Sequence, residues 1–148
     1  DKAELVQSLL DTKGATGAFQ TYADIIALAA SIGAKYQKRI PVKDIAKSEP
    51  APISLEIFIS RGYDWLIKLL AVNQQQTIEI IGDNSPENEV KRALIFEEYA
   101  NGGLEKLKDN LRGAVDSTDR LLLILNGERM REKTEDETEL EFDLTRFL

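Results

Sequence analysis

The stretch Arg92–Leu111, RALIFEEYANGGLEKLKDNL, constrains the fold most, because apolar residues recur at helical spacing on both sides of a glycine pair. It reads as one helix ending at Asn101-Gly102-Gly103, then a second that places Leu104, Leu107 and Leu111 on one face. Just upstream, Ser85-Pro86-Glu87 is a helix start. Ser85 can cap, Pro86 suits the first helical position, and Glu87 favours the positive helix end. The helix from Pro86 to Ala100 is expected to bury Val90, Leu94, Phe96 and Tyr99. Glycine after a helix is a common C-terminal cap, so the segment predicts a helical hairpin against which the rest packs.

The rest of the chain repeats the helical period. Ala3–Leu10 places Leu5, Val6, Leu9 and Leu10 on one side, and Asp11-Thr12-Lys13-Gly14 reads as a turn that ends it. A very apolar helix is predicted from Thr16 to Ile32, through Phe19, Tyr22, Ile25, Ile26 and Ala29, with Gly33 as its stop. Ile53–Val72 is helical in two pieces interrupted at Arg61-Gly62, and Trp65 is expected in the core because it shares a register with Leu69. Asn73–Gln76 reads as a loop, and Thr77–Ile81 suits a short helix or strand equally. Gly113 precedes a last helix containing Leu121–Leu125, with Asn126-Gly127 as its cap. Nothing is strand-rich and no internal repeat is visible. The fold class is therefore all-α: a single compact domain of five to seven helices over residues 1–130. Residues 131–148 form an acidic C-terminal tail, in which Thr134–Asp143 carries six acids and no base. That tail is expected to be flexible, or ordered only by a partner.

The chain has no cysteine and no histidine. Thiol nucleophiles, His-based triads and zinc sites built on those ligands are excluded. No catalytic residue, metal ligand or cofactor site is assigned. Glu97, Glu98 and Glu105 could be taken for a carboxylate cluster, but neighbouring glutamates on a helix diverge by about 100° and read as a solvated face. The glycine pair lacks the preceding strand and the longer motif of a phosphate loop. No apolar run is long enough to span a membrane and the first residues lack a signal-peptide pattern, so a cytoplasmic location is expected. The chain opens on Asp1 rather than methionine, which leaves room for residues upstream.

The net charge is −7, whereas domains that hold nucleic acid by bulk charge are usually basic. Any DNA contact must therefore be local, or made by an oligomer or a partner. One basic island stands out at KYQKRIPVKDIAK, where Lys35, Lys38, Arg39, Lys43 and Lys47 face only Asp44. It is the candidate nucleic-acid-binding segment, since lysine and arginine there could meet phosphates or an acidic partner. The alternative is a solvated loop that balances the acidic tail.

FQTYADIIALAASIGAKYQKRIP, EIFISRGYDWLIKLLAV and above all IFEEYANGGLEKL resemble the DNA phosphorothioation (Dnd system)-associated protein 4 family. The resemblance covers most of residues 3–126 and leaves the tail outside. More distantly, the order of features is similar to that of the small helical DndE protein of the same systems. The resemblance implies a bacterial accessory component, not an enzyme, working with other components of the phosphorothioation system or with restriction of unmarked DNA. It further implies possible homo-oligomers and DNA binding through a lysine-rich surface, for which residues 35–47 are the only counterpart. A protein–protein adaptor without direct DNA contact is the alternative, the acidic tail engaging a basic partner or masking its DNA site.

Overall fold

A computed structural model describes residues 2–10, 17–42, 52–82 and 85–139. Among them are seven helices and no strand beyond an isolated bridge between Leu10 and Phe19, so the chain is all-α as expected. They are α1 (Lys2–Leu9), α2 (Tyr22–Lys35), α3 (Leu55–Ser60), α4 (Asp64–Gln75), α5 (Glu79–Gly82), α6 (Pro86–Leu111) and α7 (Ser117–Glu139). The chain divides into two units, residues 1–112 holding α1–α6 and residues 113–148 holding α7. The turn expected at Asp11–Gly14 and the end of the acidic tail after Glu139 lie outside the described residues.

Local signals account for most helix ends. Ser85 Oγ accepts from Asn88 N at the start of α6, with Pro86 in the first turn. Thr21 Oγ1 does the same for Asp24 N, which starts α2 at Tyr22 rather than at Thr16. At Arg61-Gly62 the chain forms a Schellman closure: Tyr63 N donates to Phe58 O, Gly62 N donates to Ile59 O, and Gly62 takes φ +84°. The same closure ends α2, but with Gln37 at φ +50° in the left-handed position, where Lys38 N donates to Gly33 O and Gln37 N to Ala34 O. Gly33 is thus inside α2 and does not stop it. α4 runs to Gln75, so most of the expected Asn73–Gln76 loop is its last turn.

The expected hairpin is absent. α6 is one continuous helix of 26 residues, and Gly102-Gly103 sits inside it, buried. The glycines serve packing, because α6 lies chiefly against α2. A Cβ on Gly103 would collide with the carbonyl oxygen of Ala29, and one on Gly33 with that of Tyr99. A Cβ on Gly102 would strike the Lys38 carbonyl oxygen. The two backbones therefore touch where side chains would normally hold helices 8–10 Å apart.

Around this crossing, the core joins Ala23, Ala27 and Ala30 of α2 to Phe58, to Leu66, Ile67, Leu70 and Ala71 of α4, to Ile80, and to Ile95, Phe96, Tyr99 and Ala100 of α6. Phe58 and Phe96 meet edge to face at 5.1 Å. Three expectations about burial fail. Trp65 is 63% exposed with Leu69 beside it, because shared register places two residues on one face without saying which face turns inward. Val90 and Leu94 are exposed while Arg92 is buried. Arg92 can face inward because its aliphatic stem packs and its Nη1 donates to the Ile80 carbonyl at 2.8 Å.

In α7, Asn126-Gly127 does not act as a cap, since the helix continues through both. Nothing lies within 4 Å of a Cβ on Gly127. Gly127→Ala is therefore expected to stabilise α7 by about 0.5–1 kcal/mol, the ordinary helix preference of alanine. Mean residue ellipticity through thermal unfolding checks it, and a loss of helix would refute the open site.

Candidate nucleic-acid interface

After α2 closes at Gln37, residues 38–41 run along α6 and are fastened to it. Ile40 N donates to Glu98 O at 3.0 Å, and Asn101 Nδ2 donates to the carbonyls of Ile40 at 3.0 Å and Pro41 at 3.2 Å. The described part of the basic island is thus a strap across the middle of α6, seated where Gly102 admits the Lys38 backbone.

Its cations have different fates. Arg39 turns inward: both Nε and Nη2 donate to Glu98 Oε2, and the guanidinium lies 5.7 Å from the centre of the Tyr99 ring. The Glu98 side chain is only 14% exposed, so it is a partner of Arg39 and not the solvated glutamate expected. This charge-assisted contact holds the strap down. Lys38 reaches outward, with Nζ 3.4 Å from Glu105 Oε2, and both side chains are more than a third exposed. Lys35 is exposed at the end of α2. Lys43 and Lys47 lie outside the described residues.

The fold adds lysines that the linear island did not contain. Lys2, at the start of α1, is held by Asn101, donating to its carbonyl oxygen at 3.0 Å and to its side-chain oxygen. Burial lowers the pKa of the Lys2 ammonium; Glu105 opposes the shift, and the neighbouring charges of Lys38 and Lys108 add to it. Those causes place Lys2, Lys38, Lys108 and Glu105 in one electrostatic neighbourhood. Lys106, on the same stretch of α6, sits 4.7 Å from the centre of the exposed Tyr36 ring. LEKLKDN alone carries no sign of this convergence. Only the α2–α6 crossing and the return of α1 to Asn101 create it.

A second polar cluster lies where α2 meets the α3–α4 turn. The Asp24 carboxylate accepts from Thr21 Oγ1 at 2.7 Å, from Tyr63 Oη at 2.7 Å, and from Arg61 Nε and Nη2 at 3.0 and 2.9 Å. In the α3–α4 turn, Arg61 and Tyr63 are therefore committed to holding α2. Beside them an open groove of ≈ 530 Å³ runs between Phe19, Leu28 and Trp65. Among the described residues, no group of three Asp or Glu could hold a metal ion, and no helix is long and apolar enough to cross a membrane.

The sequence model of the family described as DNA sulphur modification system-associated protein 4 matches residues 1–147, which takes in nearly all of the acidic tail. No curated protein and no solved structure matches the chain.

Proposed function

The chain belongs to the DNA sulphur modification system-associated protein 4 family, and from that premise we propose that it is a non-enzymatic accessory component that contacts the DNA backbone weakly. The observation that carries the reading is the gathering of Lys2, Lys38 and Lys108 from three chain segments. They give an acidic chain one local surface at which phosphate charge can be neutralised. Contact of this kind is sequence-independent and sensitive to salt. Arg39 has no part in it, since its charge is already met by Glu98.

The expected result is duplex binding at low salt that weakens about tenfold when Lys35 and Lys38 are both reversed to glutamate, with a shallower dependence on salt. Removing residues 134–148 should strengthen the same binding by lifting acidic repulsion. Titration of a labelled duplex by fluorescence anisotropy measures both.

The net charge of −7 favours a second reading, an adaptor that docks another component of the system without touching DNA. Co-purification with such components after nuclease treatment, together with no duplex binding at low salt, would select it.

A further inference from the structure

We propose that Lys2, Lys38 and Lys108 form a subsite for one phosphodiester oxyanion of the DNA backbone, in which Glu105 is a built-in competitor for the phosphate. The inference rests on the DNA-contact reading above and specifies its chemistry. The charge of Glu105 acts on Lys2 in the opposite sense to those of Lys38 and Lys108. Its carboxylate is a monoanion, like a phosphodiester, and pairs with the Lys38 ammonium at 3.4 Å.

The occupant is weakly held. Side chains 37% and 42% exposed at 3.4 Å form a pair that water largely screens, so an arriving phosphate displaces the carboxylate at little cost. The site is also partly built in advance. Lys2 is fixed by Asn101 rather than free to swing, and Lys108 lies one turn beyond Glu105 on the same side of α6. An anion that enters relieves the mutual repulsion of the lysines as well as pairing with them.

Anisotropy of a labelled duplex against the full chain tests the subsite. Glu105→Gln removes the competitor and is expected to tighten binding about fivefold at low salt, the scale of an exposed ion pair. Lys108→Gln is expected to weaken binding and to reduce the logarithmic salt slope by about 0.9, the loss of one phosphate contact. Glu89→Gln makes the same charge change about 24 Å away along α6, beyond the screening length of about 10 Å, and should leave affinity unaltered. Circular dichroism confirms that each variant is folded.

Binding that responds to Lys35 and Lys38 but not to Glu105→Gln or Lys108→Gln overturns the subsite and leaves the DNA-contact reading standing. No duplex binding by any variant, the natural chain included, overturns both. If inorganic phosphate displaces the duplex where chloride of equal ionic strength does not, the site takes free phosphate, and the assignment to a polymer backbone fails.

Discussion

Gly103→Ala is expected to destabilise the residue 1–112 unit by about 3 kcal/mol, the upper end of the cost of overpacking a core. Two effects of opposite sign meet at this position. Alanine is favoured over glycine within a helix by about 1 kcal/mol. The added methyl, however, would collide with the Ala29 carbonyl oxygen and press on Gly33 N. Both are backbone atoms inside α2, which cannot give way as the tip of a flexible side chain would. The crossing must open, and the alanine and leucine contacts along it open too. Gly33→Ala meets the Tyr99 carbonyl in the same way and should cost a similar amount. The double variant should cost less than the two added together, since one opening of the crossing serves both methyls. Urea unfolding of each variant measures this. A neutral or stabilising Gly103→Ala would show that helix preference prevails and that the glycines are no packing device.

Asp24→Ala is expected to cost about 2–3 kcal/mol, because it leaves the Arg61 guanidinium, the Tyr63 hydroxyl and the Thr21 hydroxyl without their shared acceptor. The same cluster sets a pH dependence with a definite sign. Burial raises the pKa of Asp24, but the hydrogen bonds from Thr21, Tyr63 and Arg61 and the Arg61 charge outweigh it and hold the carboxyl below its ordinary 3.8. The unfolded chain therefore takes up this proton first on acidification. The stability contributed is complete above about pH 5 and is lost as pH falls through 3.8 towards the folded value.

Tyr63 mirrors this at the alkaline end. Burial, then the bond to Asp24 and its charge, raise the phenol above its ordinary 10.0, against the opposing charge of Arg61. Its contribution is present below pH 10 and lost as pH rises through the folded value. Unfolding free energies across pH should lose the Asp24 acid edge in Asp24→Ala and keep a smaller alkaline one, since the burial of Tyr63 remains. Persistence of the acid edge in that variant would assign it to other carboxylates.

The two predictions bear on function through one geometry. The glycine crossing brings the end of α2 against the middle of α6, and the strap carrying Lys38 follows from that contact. A variant that opens the crossing should therefore lose duplex binding together with stability. Glu105→Gln should change binding alone.

Signals confined to a few neighbouring residues were legible in the chain itself. Ser85-Pro86 starts α6 and Arg61-Gly62 parts α3 from α4, because caps and left-handed residues act on the hydrogen bonds of their own turn. The helical period of the apolar residues determined the all-α class for the same reason. The basic island too was visible as composition, although not which of its charges are available.

What the tertiary structure decided depends on residues far apart in the chain. Gly102-Gly103 is identical as a sequence whether it ends a helix or seats one, and only the α2 backbone opposite makes it a seat. Trp65 and Leu69 declare a common face, but whether that face is wet depends on which side of α4 meets α6. Arg39 and Lys38 are adjacent in sequence, yet Glu98 takes the first inward and Glu105 leaves the second at the surface. Backbone rules reach one turn along the chain, whereas close approach and charge pairing are settled by what the fold sets opposite.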